Sequence, residues 1–324
     1  MEVFKTIILN MNNQIKKINL NHSFIFFLFC NIFSLIIFKF SNLDISSLIC
    51  LFLILIIGVS HGSLDHEKGK KIFKILNISH ISIFYLLYIS IAALVIIIWA
   101  IIPSISLIMF LIVASYHFGK EDTQFLISKI SYFDQLLFFF KGSLIILAPM
   151  FFHFQETVSI FKLLLVDNEI FYSTLEFIEK NKILSIGLIL STLSSILLFL
   201  KEFEIKKFVI FFDYSSILIL NYYFDPLIAF TIYFCFLHSI RHSISLIHEI
   251  DSSNFNEGLK IFIKNALPLT ILTTILCLMG MYFLKSNFDL NSSILKLIFI
   301  GLASLTFPHI LLEYLLEKNE KQRN

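Results

Sequence analysis

Three short segments of the chain contain histidines at spacings that could bind a metal ion. Residues 58–66 read GVSHGSLDH, residues 116–122 read YHFGKED, and residues 238–242 read HSIRH. In the third segment, the spacing of four places His238 and His242 on one face of a helix, one turn apart. The same arrangement binds a single metal ion in the HExxH helices of zinc enzymes. The third segment is therefore a candidate pair of metal ligands.

The other two segments share a histidine, a nearby glycine and an acidic residue. Asp65 lies four residues after His61, and Asp122 lies five residues after His117. A carboxylate commonly accepts the ring N–H of a metal-bound histidine and thereby orients the ring. We therefore expect Asp65 and Asp122 to accept hydrogen bonds from histidines of the site.

Imidazole ligands without thiolates suit iron, copper, zinc or nickel. Four histidines that leave coordination positions open favour a redox metal that handles O₂ over a closed structural zinc site. A di-iron desaturase is disfavoured, because the HxxHH boxes are absent and HxxxH occurs once. A haem held between histidines, in a membrane electron-transfer protein, stays open as an alternative. A transporter with a histidine relay fits less well, because the polar groups gather at one side of the membrane.

The elements that must hold these histidines are membrane helices. Hydrophobic residues make up 57% of the chain and charged residues 15%, and the mean hydropathy is +0.87. Most of the apolar runs are long enough to cross a hydrocarbon core of about 30 Å. Only helices or closed barrels satisfy the backbone in lipid, and the apolar runs are continuous rather than alternating. The predicted fold class is therefore all-α, a polytopic transmembrane bundle of about eight to ten helices.

The apolar runs predict ten helices, at 23–40, 44–61, 79–101, 104–118, 132–152, 183–200, 208–223, 226–248, 263–284 and 292–314. With a cytoplasmic N-terminus, 17 of the 25 Lys and Arg residues lie inside and 6 outside, as the positive-inside rule requires. We therefore predict a multi-pass protein of the inner cell membrane with both termini in the cytoplasm. The net charge of +2 says little about partners, but the sequence contains nothing that resembles a nucleic-acid-binding stripe, so nucleic acid is not an expected partner.

The predicted organisation has three parts: an N-terminal cytoplasmic segment 1–22, one membrane-embedded domain 23–316 and a cytoplasmic tail 317–324. The outer connection near 153–181 is predicted to hold an amphipathic surface helix. On this topology five histidines fall at similar depth near the cytoplasmic side, and they are His61, His117, His238, His242 and His309. Ionisable residues at membrane depth are costly and commonly functional, so this convergence favours a metal site inside the bundle.

The three motifs together resemble those of the Brp/Blh-type β-carotene 15,15′-dioxygenases. The motifs are GxxHGxxDH at 58–66, HFGxxD at 117–122 and HxxRH at 238–242, and the sequence FPH at 307–309 agrees with them. The resemblance extends from about residue 45 to 315. Ser60 and Tyr116 stand where the family commonly has proline and tryptophan, and neither position would supply a ligand.

The resemblance implies an Fe²⁺-dependent enzyme that uses O₂ to split the central double bond of β-carotene into two molecules of all-trans-retinal. In bacteria this retinal usually supplies a rhodopsin. By motif match the iron ligands would be His61, His117, His238 and His242. The lipid bilayer would deliver β-carotene laterally to a membrane-embedded site. Action on a different carotenoid stays open as an alternative.

Several further residues are candidates for supporting roles. His61 and His66 differ by about 140° around a helix, so we expect His61 to be the ligand and His66 to lie beside the site or in a loop. His309 is a candidate fifth ligand or hydrogen-bond donor to the site. A tunnel for the polyene could be lined by four aromatic residues, Tyr116, Phe118, Phe234 and Phe236.

Arg241 lies between the two histidines of the third motif. An arginine at membrane depth needs a carboxylate partner or a path to the interface. We therefore expect Arg241 to pair with Asp65 or Asp122, or to extend to the cytoplasmic surface.

Overall fold

The computed structural model describes residues 2–39 and 45–321, and these residues form helices and short connections with no strand. Side chains are described for residues 14–36, 45–59, 62 and 64–319. The α-helices, in chain order, are α1 (Glu2–Lys39), α2 (Ser47–Leu53), α3 (Asp65–Ile75), α4 (Ile81–Ile101), α5 (Pro103–Glu121), α6 (Tyr132–Gly142), α7 (Leu144–Phe152), α8 (Phe154–Leu163), α9 (Glu169–Lys180), α10 (Ile183–Leu200), α11 (Phe208–Tyr223), α12 (Pro226–Ile232), α13 (Ile240–Ile250), α14 (Phe255–Leu284) and α15 (Leu290–Lys321).

Within the described part of the chain, eight helical stretches are long and apolar enough to cross a membrane. They are Gln14–Ile36, Ile81–Ile101, Pro103–Leu126, Tyr132–Phe152, Ile183–Leu200, Pro226–Ile250, Phe255–Leu284 and Leu290–Asn319. Within the predicted runs 44–61 and 208–223, the stretches Ser47–Gly58 and Phe208–Tyr223 are also helical but shorter. The prediction of an all-α polytopic bundle is therefore confirmed.

The helices run past the predicted domain boundaries. α1 continues through residue 22, and α15 continues through residue 316, so the three-part division stays a prediction. The outer connection contains two helices, α8 and α9, where one amphipathic surface helix is predicted.

The bundle exposes apolar side chains on its outer surface and buries several charged side chains within a largely apolar interior. On α14, Leu278 and Phe283 are 63% and 66% exposed, as suits a helix whose surroundings are hydrocarbon. Asp122, Asp213 and Arg241 are buried in the interior. Lipid cannot hydrogen-bond to such groups, so they are stable at membrane depth only when they meet one another.

Two π-helical segments lie beside the histidine motifs. One, Ile54–Gly58, leads into the 3₁₀ helix Val59–Leu64, and the other, Tyr233–Ser239, leads into α13. The Ser239 hydroxyl donates to the Gly58 carbonyl over 3.3 Å, which joins the two segments. A π turn interrupts the regular α-helical geometry and is often found at functional sites.

α5 and α6 approach each other closely at a glycine. A Cβ atom added to Gly119 would overlap the carbonyl oxygen of Phe138 on α6. Small residues let membrane helices pack backbone against backbone. This contact positions the end of α5, which carries His117 and Asp122.

Replacement of Gly119 by alanine is expected to force α5 and α6 apart and to destabilise the protein by about 1–3 kcal/mol or more. Gly301→Ala on α15 is the matched control, because among the described residues no atom outside its own stretch of helix backbone lies within 4 Å of the added Cβ. The control is expected to be neutral or slightly stabilising, since alanine is the better helix former. Thermal unfolding in one detergent measures both variants. Equal midpoints for the two would contradict the prediction.

Candidate metal centre

Four histidines from three parts of the chain meet in the interior. His117 comes from α5, His238 from the π-helical segment before α13, His242 from α13, and His309 from α15. The ring centroid of His117 lies 5.6 Å from that of His238 and 5.5 Å from that of His309, and His242 lies 6.0 Å from His309. His242 is half-buried and the other three are buried. The fold therefore brings together three of the four predicted ligands, together with His309.

His61, the remaining predicted ligand, has its backbone in the 3₁₀ helix Val59–Leu64. Its side chain lies outside the described residues, so its role as a ligand stays a prediction. Asp65 begins α3 directly after this 3₁₀ helix and is buried. The first motif therefore delivers a carboxylate to the cluster.

Carboxylates contact Nδ1 of the histidines, as expected for Asp65 and Asp122. Nδ1 of His238 lies 3.1 Å from Oδ1 of Asp122, and Nδ1 of His309 lies 2.8 and 2.9 Å from the two oxygens of Asp65. An ionised carboxylate only accepts hydrogen bonds, so each Nδ1 acts as the donor. That tautomer leaves the Nε2 lone pair available to a metal.

Two glutamates near the histidines were missed in the sequence. Nδ1 of His242 lies 3.3 Å from Oε2 of Glu121, and Glu313 lies 3.4 Å from Nε2 of His309 and 3.9 Å from Nδ1 of His117. The sequence does contain a pattern that could have indicated them. Glu121 follows His117 by four residues on α5, and Glu313 follows His309 by four residues on α15. That spacing places the two side chains on one helix face.

The donor atoms in this cluster fit a transition-metal ion. One ligand atom each from His242, His309 and Glu313 lie within 4.8 Å of one another. Neutral imidazoles with oxygen donors suit iron, copper, zinc or nickel. The carboxylates against Nδ1 are the usual partners that orient metal-bound histidines. The donor set therefore fits a transition-metal ion, Fe²⁺ among them, and the identity of the metal stays a prediction.

Two residues outside the predicted set hold the carboxylates of the cluster. The Tyr88 hydroxyl donates to Oδ2 of Asp65 over 2.8 Å, and Nζ of Lys68 donates to Oε1 of Glu313 over 2.6 Å. Burial raises the pKa of Asp65, but His309, Lys68 and Tyr88 outweigh it and hold that pKa below its usual value. Burial lowers the pKa of Lys68, but Glu313 and Asp65 outweigh it and raise that pKa. Both groups therefore stay charged at neutral pH.

Arg241 has a different principal partner from those expected. Its guanidinium donates to both oxygens of Asp213 on α11, over 2.7 and 2.8 Å, and to the hydroxyl of Ser23 over 2.7 Å. Asp122 is close as well, with Oδ1 at 3.5 Å from NH1. Arg241 is 2% exposed, so the expectation that it extends to the cytoplasmic surface is wrong, because a buried bidentate partner is available.

Asp122 connects the Arg241–Asp213 ion pair to the histidines. The Tyr233 hydroxyl donates to Oδ2 of Asp122 over 2.6 Å, while Oδ1 faces His238. Arg241 and Tyr233 thus both contact the carboxylate that orients His238. Asp213 and Tyr233 belong to no sequence motif. Their contacts with Arg241 and Asp122 become visible only in the packed structure of α11 and the π-helical segment.

Two of the four aromatic residues predicted to line a tunnel lie against the histidines. The ring of Phe118 lies 4.7 Å from that of His238, and Phe234 stacks on His238 at 5.8 Å. Phe236 instead packs at 6.5 Å from Phe29 of α1, and Tyr116 is half-buried on α5. Phe118 and Phe234 therefore form an apolar wall beside the cluster.

His66 was expected beside the site. It lies one residue after Asp65 on α3, and its Nε2 is 3.0 Å from Oε1 of the half-buried Glu67. A part for His66 in the metal centre stays a prediction.

Comparison with known proteins agrees with this site. The family model described as Beta-carotene 15,15′-dioxygenase matches residues 52–317, a range that contains all three motifs and His309. A beta-carotene 15,15′-dioxygenase from an uncultured marine bacterium, 66A03, is 28% identical over 270 residues, which cover 80% of this chain and 90% of the relative. No solved structure matches the chain. Because the family model covers well over half of the sequence, the chain belongs to the beta-carotene 15,15′-dioxygenase family.

Proposed function

We propose that this protein cleaves the central 15,15′ double bond of β-carotene with O₂, giving two molecules of all-trans-retinal, at a non-haem Fe²⁺ centre. The observation that carries the proposal is a buried cluster of histidines inside a membrane helix bundle. Carboxylates contact the imidazoles of this cluster, and aromatic rings lie against it. His117, His238 and His242 would hold the iron together with His61. His309 and Glu313 lie close enough to complete or support the set.

The location of the site suits the proposed substrate. β-Carotene is an apolar polyene that dissolves in the bilayer and has no polar group to hydrogen-bond. Phe118 and Phe234 offer it ring faces beside His238. A site within the helix bundle can take such a substrate laterally from the bilayer, without transfer through water.

The protein's own part in the reaction is to orient groups. Bound Fe²⁺ would supply the chemistry that activates O₂. Asp122 and Asp65 keep protons on Nδ1 of His238 and His309, and these protons hold the rings in fixed orientations. The aromatic wall positions the polyene, and correct placement of reacting groups contributes a large share of enzymatic acceleration.

The proposed setting is the inner cell membrane, with both termini and the histidine cluster towards the cytoplasm. The lysine and arginine distribution supports this orientation. Retinal released into the bilayer would be available to a rhodopsin, which is the downstream user that we propose.

The test is expression of the chain in bacterial cells that accumulate β-carotene, with retinal and remaining β-carotene quantified by chromatography. Retinal as the main product, at close to two molecules per β-carotene consumed, is the expected result of central cleavage. Cleavage products of other lengths would place the cut at a different bond. Persistence of β-carotene while iron-loaded protein is present in the membrane would contradict the proposal. A Soret band in that protein would then point to haem and electron transfer.

A further inference from the structure

A cavity of about 370 Å³, lined by charged, histidine and apolar side chains, adjoins the histidine cluster. Its lining includes His238, which is 1% exposed, and Glu249, whose side chain is 61% exposed. His242 and His248 of α13 also line it. The cavity therefore extends from a surface carboxylate to a buried histidine of the candidate metal centre.

His248 is the unusual member of this lining. It is 4% exposed, and neither ring nitrogen has a hydrogen-bond partner among the described residues. A buried polar group without a partner costs free energy, so an imidazole at this position is not explained by stability. His248 lies six residues after His242 on α13, about 9 Å further along the helix axis. It is therefore nearer to the end of the cavity where Glu249 lies. Its position is intermediate between the surface and the cluster.

The charges around the cavity favour a cation as its occupant. Lys68 and Arg241 are the cations in the lining, and each is held within 2.8 Å by a carboxylate outside it, Glu313 and Asp213 respectively. The lining itself adds Glu121, Asp122 and Glu249, of which Glu249 is paired with Lys71 over 2.7 Å. Carboxylates therefore outnumber these cations, and a cavity with such an excess attracts positive ions.

We propose that this cavity is the route by which a divalent transition-metal cation reaches the cluster, with His248 as a transient ligand on the way. A buried centre needs a path of access for its metal, and neutral imidazoles and carboxylates are donors for such ions. The proposal rests on the proposed function only in requiring that the cluster binds a metal. His248 gives up its ion to His242 and the deeper histidines, so it contributes to the rate of loading and not to the final complex.

The test uses the full chain in detergent, freed of metal by a chelator and mixed rapidly with Co²⁺ without O₂. The ligand-field absorption of Co²⁺ reports both the loading rate and the final ligand set. We expect loading to slow about tenfold when a side chain that contacts the metal only in transit is removed. The figure is taken by analogy from the loss of metal affinity that follows removal of a hydrogen-bond partner of a metal ligand. The variant is His248→Leu, and the matched control is His80→Leu, which removes an exposed histidine before α4.

We expect His248→Leu to load slowly and to reach the same Co²⁺ stoichiometry and spectrum as the wild type, while His80→Leu loads at the wild-type rate. We also expect His248→Leu to unfold at the wild-type temperature or above it, because it removes an unpartnered polar group. If the leucine variant does not fold, His248→Gln takes its place in the comparison.

Unchanged loading in the folded His248 variant would overturn the proposal. A lower stoichiometry or a changed final spectrum would also overturn it, since His248 would then be a resident ligand. If the wild type binds no Co²⁺, the metal centre and the route fail together. Slow loading in a protein that forms no retinal would support the route and refute only the proposed reaction.

Discussion

The variant His238→Ala is expected to lose retinal formation by roughly two to three orders of magnitude, because a bound metal contributes several kcal/mol to a barrier. His238 is the centre of the cluster, since it contacts Asp122, His117 and Phe118. Its removal would leave a predicted ligand position empty and would take from Asp122 one of its partners, while Tyr233 still donates to that carboxylate. Iron content of the purified protein and retinal produced per mole of protein are the two measurements.

Two further variants make this prediction specific. Asp122→Asn keeps all four histidines but weakens the hydrogen bond to His238, so we expect metal affinity to fall by about 10- to 100-fold with activity recovered at high Fe²⁺. Asp134→Asn is the matched control, because Asp134 is 1% exposed but pairs with Lys201, away from the histidines. Wild-type iron content in His238→Ala would show that His238 is not a ligand. An equal loss in both aspartate variants would indicate general destabilisation.

Replacement of Arg241 by methionine is expected to destabilise the fold by about 3–5 kcal/mol, because it leaves a buried carboxylate without its partner. The lost bonds are the two from Arg241 to Asp213 and the one to Ser23, which join α13 to α11 and α1. Lysine is not an equivalent replacement, since it cannot make the bidentate contact. Thermal unfolding in detergent, at fixed protein and detergent concentrations, measures the effect.

The double variant Arg241→Met with Asp213→Leu tests the cause. Removing both charges is expected to restore much of the stability, because the cost arises from the carboxylate left alone. Lys201→Met is the comparison for a partly exposed pair, since the side chain of Lys201 is 32% exposed, and we expect a smaller loss there. A single Arg241→Met variant as stable as the wild type would refute a structural part for this ion pair.

The histidine motifs show which contacts could be predicted from residues that are close together in the sequence. The spacing of His238 and His242 on one helix predicts a shared face, and both residues do reach the cluster. The carboxylate of Asp122 is also correctly predicted to face a histidine, which is His238. Such predictions succeed because helix periodicity relates residues that are near in sequence.

Partners from distant helices could not be predicted in this way. Asp65 pairs with His309, which is 244 residues away, and Arg241 pairs with Asp213 on a helix without any motif. Which helices become neighbours, and how each is rotated, depends on packing over the whole bundle. The π-helical segment at Tyr233–Ser239 also departs from α-helical periodicity just where His238 lies.

The sequence by itself determined the class of protein, the membrane helices and the residue types of the site, because hydropathy and short motifs are local properties of the chain. Only the tertiary structure decided which carboxylate contacts which histidine, that Glu121 and Glu313 join the cluster, and that Arg241 is buried. The physical reason is that a buried charge or hydrogen-bonding group takes its partner from whatever side chain the packed helices bring within about 3 Å.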